Sequence, residues 1–235
     1  MNKVLPRKVA LVTGGARGIG RAIADDLARD HDLAITYWQT SPTSPDDVLS
    51  IQADLRQEET PKQVINAVLD RFGRLDVIVN NAGSIAPAAP QDYPMAELRA
   101  MFDLNVLAAQ GILAAALPYL TDGAAIVSVS SVNAILPPKG AALLGSSKAA
   151  LELWTRGIAK ELGPQGVRVN AVAPGAVNIP EAPRDAALTV LFQEMTALGR
   201  LAEPADIAAA VRFLAGDAAR SITGEILKVS GGYRL

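Results

Sequence analysis

The sequence predicts one doubly wound α/β domain built on a parallel sheet, and three observations carry that expectation. Short, wholly apolar runs recur along the chain, as strands buried on both faces require. Helical periodicities alternate with these runs. The first strand and the first helix are joined by a glycine cluster, GGARGIG, at residues 14–20.

Taken in order, KVALVT at Lys8 to Thr13 is apolar and rich in β-branched residues, which marks the first strand. Past the glycine cluster, Ala22 to Ala28 has helical spacing. Leu33 to Tyr37 and Val48 to Ala53 read as the second and third strands, and the polar, proline-broken WQTSPTSPDD between them leaves no room for a crossover helix. Thr60 to Phe72 is a helix with Thr60-Pro61 as cap and first turn, and Leu75 to Asn80 is a fourth strand. Met95 to Leu120 reads as one long helix and Ala124 to Val129 as a strand. From Ser131 the chain crosses a Pro-Pro-Lys-Gly loop into a helix over Leu143 to Leu162, entered at Ala141. Val167 to Ala173 is the next strand, and Ile179 to Leu201 is less regular with some helix. Pro204 to Ala215 is a helix with proline in its first turn, and Glu225 to Val229 is the last strand. The sum is a Rossmann-type sheet of about seven strands with helices on both faces. Residues 1–235 contain no linker, repeat or low-complexity block, so a single domain is expected.

Composition removes several function classes. Half of the chain is apolar, enough for a sizeable core, and 22 Lys plus Arg stand against 24 Asp plus Glu with no basic cluster, so neither nucleic acid nor an anionic membrane is an expected partner. Without cysteine there are no disulfides, thiolate metal sites or cysteine nucleophiles. No metal-ligand cluster is expected, and His31, the single histidine, reads as a surface residue. MNKVLPRKVALVTGG reaches threonine and glycine too early for a secretory signal, and Val106 to Leu120 is broken by Gln110 and Pro118 short of a membrane span. A cytoplasmic protein is the expectation.

In a doubly wound sheet ligands bind outside the carboxyl ends of the strands, where a helix N-terminus offers free N–H groups to an anion. Gly14, Gly15, Gly18 and Gly20 occupy that place, where glycine lets the backbone turn sharply and approach a pyrophosphate. The spacing is T-G-x-x-x-G-x-G, and with it the chain resembles the short-chain dehydrogenase/reductases, similar to the 3-oxoacyl-carrier-protein reductases among them. TGGARGIG resembles that family's glycine turn, Asp54-Leu55 its adenine contact, and Asn80-Asn81-Ala82-Gly83 its signature after the fourth strand. Asn105 in FDLNV resembles the structural and catalytic asparagine, Ser131 the active-site serine and Pro174-Gly175-Ala176-Val177 the nicotinamide loop. RLAEPADIAAAVRFL and TGEILKVSGG resemble its carboxy-terminal section.

The resemblance implies a nicotinamide dinucleotide held by Gly14, Arg17, Gly18, Ile19, Gly20, Asp54, Leu55, Asn81, Ala82, Gly83, Lys148, Pro174, Gly175 and Val177. Enzymes of this fold that prefer NAD end the second strand with an acid for the ribose 2′-OH. Here it ends Thr36-Tyr37-Trp38-Gln39, with no acid to repel a 2′-phosphate. Arg17 would pair with that phosphate, Thr40 and Ser41 would add hydroxyls and Trp38 would stack on adenine. NADP is the expected cofactor, ahead of NAD.

Carbonyl reduction delivers hydride to carbon and a proton to oxygen, so the site needs an acid. In the family a tyrosine gives that proton, and a lysine four residues on lowers its pKa and binds the nicotinamide ribose. Lys148 matches the lysine, but Leu144 stands at the tyrosine position, and Tyr37, Tyr93, Tyr119 and Tyr233 all lie elsewhere. Ser146 and Ser147 are near, though an unactivated hydroxyl is a far weaker acid than a phenol. Ile179 replaces the threonine that usually closes P-G-x-V-x-T. Three readings follow. The protein is an NADP-dependent oxidoreductase using Asn105, Ser131, Lys148 and a water, or acting on an imine whose iminium form already carries its proton. Alternatively it is an inactive nucleotide-binding relative serving in binding or assembly, or Leu144 is an engineered replacement of tyrosine in an ordinary ketoreductase.

Ile85 to Pro90, Val132 to Leu136 and Ile179 to Phe192 would bound a small-molecule substrate, and their apolar character suggests a hydrophobic one. Trp154 and its helical neighbours suit a subunit contact, and the resemblance implies a homotetramer or dimer.

Overall fold

The computed structural model describes residues 7–233 apart from Ser44, Pro87 and Tyr93, so the reading of the first six residues and the places given to Pro87 and Tyr93 lie outside the described residues. Seven strands, β1 (Lys8–Val12), β2 (His31–Tyr37), β3 (Leu49–Gln52), β4 (Val77–Asn80), β5 (Ala125–Val129), β6 (Arg168–Pro174) and β7 (Ile226–Val229), form one sheet in the order β3-β2-β1-β4-β5-β6-β7. Every pairing is parallel. The strand order reverses between β1 and β4, which makes the crevice above their carboxyl ends the binding place of this topology.

The helices are α1 (Gly18–Leu27), α2 (Thr60–Phe72), α3 (Met95–Phe102), α4 (Ala108–Ala116), α5 (Ala142–Leu162), α6 (Ala186–Glu194) and α7 (Pro204–Ala215). Alternation along the strands sorts the core into two layers. Val9 and Leu11 of β1 join Ile78, Ile126 and Val169 under Val64 of α2, Ile112 of α4 and Leu162 of α5. Ala10 and Val12 join Val79, Val127 and Val172 under Ile23 of α1 and Ile207 and Val211 of α7. Burying each large aliphatic side chain stabilises the fold by roughly 1.5–3 kcal/mol.

Some expected elements differ by two residues or more. β2 starts at His31 and not Leu33, its polar first residues His31 and Asp32 pairing with Lys8 and Val9 of β1. β4 starts at Val77 and not Leu75; Asp76 just before it donates its N–H to the Val9 carbonyl at 3.0 Å and its carbonyl accepts from Ala125 N at 2.9 Å, and one of its carboxylate oxygens accepts from Val9 N and Arg74 Nε, both at 2.8 Å. The expected single helix over Met95 to Leu120 is three pieces, with a π-helical turn at Asp103–Leu107 between α3 and α4 and a 3₁₀ turn at Leu117–Tyr119. Met95–Tyr119 is long and apolar enough on composition to cross a membrane; Ile112, Leu113 and Ala116 lie in the core, while Leu107, Leu117 and Tyr119 are exposed. The irregular Ile179 to Leu201 segment contributes α6, capped by Asp185, whose side chain accepts from Ala187 N and Leu188 N.

Candidate active site

The glycine turn is built for close backbone approach. Gly14 and Gly18 have φ of +65° and +55°, which L side chains rarely adopt, and a Cβ on Gly20 would run into the Gly14 carbonyl oxygen and the Asn81 amide. Thr13, buried at the end of β1, accepts from Asn81 N and Ala82 N at 3.0 Å through its hydroxyl, while Asn81 Nδ2 donates to the carbonyls of Thr13 and Gly14, both at 3.0 Å. Asn81 and Ala82 are thus the clasp between β4 and the turn. No side chain caps α1, so its first N–H groups remain free to receive an anion. These features fit a dinucleotide pyrophosphate.

At the other end of the turn, Gly14 N donates to Thr36 Oγ1 at 3.1 Å and Gly15 N to the Thr36 carbonyl at 2.9 Å. That brings the turn against the end of β2, where Trp38, Thr40, Ser41 and Arg17 are all exposed and Arg17 makes no ion pair among the described residues. Arg21 is a second guanidinium at this edge, already spent on Asp25 at 2.6 Å and on the Thr43 carbonyl at 3.1 Å. Asp54 is held by two Arg56 hydrogen bonds of 2.7 Å each, and the Arg56 guanidinium keeps its carboxyl below the usual carboxylate range. Leu55 turns its side chain into the core beside Val64, which leaves only its backbone for a ligand.

The catalytic candidates converge at the carboxyl ends of β4 and β5. Lys148 Nζ donates to the Val129 carbonyl at 2.9 Å, and burial pushes its ammonium down to about 8. A Cβ on Gly83 would lie 3.0 Å from Asn105 Oδ1 and 3.5 Å from Lys148 Nζ, so Gly83, Asn105 and Lys148 meet at one point. Ser131 caps a short 3₁₀ turn, its Oγ accepting from Asn133 N at 3.1 Å, which leaves the hydroxyl hydrogen for a ligand.

Asn105 is turned inward by the π-helical turn and its amide is committed to the fold. Nδ2 donates to the Ser84 carbonyl and to Ser147 Oγ, both at 3.0 Å, and Oδ1 accepts from Ser84 N at 2.8 Å. Ser147, fully buried, donates in turn to the Leu144 carbonyl at 2.8 Å, and Ser146 bonds its own helix at Ala142. Neither serine offers a proton to the site. Leu144 is buried in an apolar cluster with Leu98 and Met101, against which Ala86, Phe102 and Leu143 pack.

Beyond β6, Gly175 N donates to the Val229 carbonyl at 3.1 Å, and a Cβ on Gly175 would lie 2.8 Å from that of Ser230. Pro174 ends the strand, Val177 is buried beside Ala202, and Arg184 donates to the Val177 carbonyl while lying over the Phe192 ring. Ile179 packs near Gly18 of the phosphate turn, and Ile19 is half-buried against the same core layer. Exposed Ile85, Ile135, Leu136, Leu188 and Leu191 give the surrounding loops an apolar surface. His31 pairs with Asp30 at 2.7 Å, at the amino end of β2 and away from the ligand-binding end of the sheet, and among the described residues no cluster of acids and histidine has metal-ligand geometry. Trp154 Nε1 donates to Gln110 Oε1 at 2.7 Å, tying α5 to α4 on their outer side.

Sequence reasoning passed over Ser130 and Glu152. Both are buried, and Ser130 Oγ donates to Glu152 Oε1 at 2.8 Å. The available signal was an acid on the same helical face as Lys148, one turn later.

A family model described as enoyl-(acyl carrier protein) reductase matches residues 14–234. The chain is 38% identical to an uncharacterized oxidoreductase of Methylorubrum extorquens, over 98% of this chain and 99% of that protein. It is 33% identical to a 3-oxoacyl-[acyl-carrier-protein] reductase of Synechocystis, with 97% of each chain covered. Among solved structures, a short-chain dehydrogenase from Burkholderia cenocepacia in complex with NADP superposes with a TM-score of 0.88 at 37% identity, covering 96% of this chain and 97% of that one.

Proposed function

The chain belongs to the short-chain dehydrogenase/reductase family, and from that premise we propose that it is an NADP-dependent oxidoreductase acting on a small apolar carbonyl, alcohol or imine without a phenolic proton donor. The observation that carries this reading is Lys148 Nζ, held on the Val129 carbonyl beside Gly83 and next to the serine loop, with Leu144 where the phenol would stand. The nicotinamide supplies hydride transfer when bound. The chain's own residues do the rest. The glycine turn and the start of α1 hold the pyrophosphate, Arg17 faces the 2′-phosphate, and Lys148 holds the ribose. The NADP complex of the Burkholderia relative supports the choice of dinucleotide.

Ser131 donates its free hydroxyl hydrogen to a carbonyl oxygen, while toward an iminium ion, whose nitrogen has no lone pair left to accept it, Ser131 Oγ accepts from the N–H. For a ketone, a water between the Ser131 hydroxyl and Lys148 must deliver the proton, and Lys148, with its ammonium at about 8, is the group that can return one to it near neutral pH. For an iminium ion no proton is needed, and the apolar wall at Leu144 is no handicap. The same reading makes the protein a cytoplasmic homo-oligomer, dimer or tetramer, supported by exposed Leu107 and Leu153 beside the Trp154–Gln110 contact. The second reading, a nucleotide-binding relative without turnover, is favoured by the Leu144 cluster, which fills the donor's place with packed side chains.

The deciding experiment follows NADPH oxidation with a panel of ketones and cyclic imines, beside a fluorescence titration of NADPH and NADH. Turnover of imines or ketones with tighter NADPH binding supports the oxidoreductase. Tight NADPH binding with no turnover of any substrate supports the binding protein, and tighter NADH binding overturns the cofactor choice.

A further inference from the structure

We propose that Ser130 and Glu152 are a positioning pair that fixes α5 against the end of β5 and thereby sets where Lys148 Nζ lies. The inference rests on the reading of Lys148 as the residue that holds the cofactor ribose. Three successive residues at the end of β5 are each committed. Val129 offers its carbonyl to Lys148 Nζ at 2.9 Å, Ser130 Oγ donates to Glu152 Oε1 at 2.8 Å, and Ser131 Oγ accepts from Asn133 N at 3.1 Å. Ser130 Oγ also lies 3.5 Å from the Lys148 carbonyl, so one hydroxyl touches α5 at both Lys148 and Glu152.

Each member is 4% exposed, and Glu152 makes no ion pair with Lys or Arg among the described residues. A carboxyl group is a costly filler for a buried helix position when no cation faces it, and a leucine would pack there without that cost. What the carboxyl adds is a directional acceptor at a fixed height on the helix. The Lys148–Val129 bond sits at the end of a flexible four-carbon stem, while the packing of Ala159 and Leu162 holds the far half of α5 on the sheet. A second bond, one turn beyond Lys148 and made by a short hydroxyl on the strand, fixes the helix at the level of Lys148. Ser130 N is itself tied to the Val172 carbonyl at 2.8 Å, so the strand side of the brace does not yield.

The test is pH-dependent acetylation of Lys148, quantified by peptide mass spectrometry on the full chain, which needs neither cofactor nor turnover. Wild type is expected to label slowly, with a midpoint of about 8, and Glu152→Gln, which keeps the acceptor, to behave as wild type. Glu152→Leu and Ser130→Ala should raise the limiting rate about tenfold, one decade in the local opening equilibrium, and move the midpoint upward as the amine gains water. Melting curves establish that each variant is folded. Should Glu152→Leu fail to fold, Ser130→Ala, which removes one oxygen atom, carries the test. Unchanged labelling in both disrupting variants, or Glu152→Gln departing from wild type as far as Glu152→Leu, overturns the proposal. NADPH titration of the same samples reports on the ribose-holding role separately: a wild type that does not bind NADPH sinks the proposed function and leaves the labelling result readable.

Discussion

Lys148 Nζ donates to the carbonyl of Val129 at 2.9 Å, and that bond is made almost out of reach of water, with burial lowering the ammonium to about 8. A buried amine of this kind is unstable in its charged form, and the consequences are measurable.

The first concerns stability against pH. In the unfolded chain Lys148 titrates at 10.5, and in the folded one at about 8, so between these values the unfolded state binds more protons and stability rises with pH. Below pH 8 the folded state carries the full penalty, roughly 3 kcal/mol at 1.36 kcal/mol for each pKa unit. Lys148→Met is therefore expected to gain on wild type by about that amount as pH falls from 10.5 to 8. Urea denaturation of both proteins across this range measures it.

Leu144→Tyr should restore a phenol one helical turn before Lys148. General acid catalysis is worth about 10² to 10⁴ in rate, so ketone reduction should rise by at least the lower figure. The ring must enter the cluster of Leu98 and Met101, and overpacking there should cost about 1–3 kcal/mol. Steady-state NADPH oxidation and a thermal melt read the two effects, and no rate gain across the ketone panel refutes the impaired-ketoreductase reading.

Arg17→Gln should weaken NADPH binding and leave NADH binding unchanged. A hydrogen bond to a charged group contributes about 1.5–3 kcal/mol, which corresponds to roughly tenfold to a hundredfold in affinity. Fluorescence titration with both dinucleotides tests this, and equal loss for the two would remove Arg17 from the 2′-phosphate.

Asn105→Leu should be more damaging to the fold than an ordinary core change. It removes the partner of the half-buried Ser84 N–H and carbonyl, at 2.8 and 3.0 Å, and of the buried Ser147 hydroxyl at 3.0 Å, and a buried group left unpaired costs about 1–3 kcal/mol. Denaturant midpoints measure the loss, and a variant within about 0.5 kcal/mol of wild type would refute the structural role of Asn105, since that is the range of an uninvolved surface change.

Much of this site is legible along the chain because its parts are local. The glycine turn follows its strand directly, and Leu144 and Lys148 share a helical face by spacing alone. Asn105 is visible as a residue, but the π-helical turn that presents it is not, since nothing in FDLNV breaks the periodicity that predicts one continuous helix. Arg56 on Asp54 and Arg74 on Asp76 are near neighbours whose pairing depends on how their loops fold. Ser130 and Glu152 lie too far apart in sequence for any pattern to join them.

By itself the sequence determined the layer architecture, the glycine turn and the absence of any tyrosine between Ser131 and Lys148, because hydrophobic period, backbone permissiveness and residue identity are properties of short stretches. Only the tertiary structure decided what surrounds Lys148. Its depressed ammonium, its bond to Val129 and the Ser130–Glu152 hydrogen bond arise where α5, packed across β6, reaches the end of β5, and desolvation exists only once distant segments have excluded water together. The Ser131 to Lys148 stretch names the residues, and packing determines which of them can still hold or move a proton.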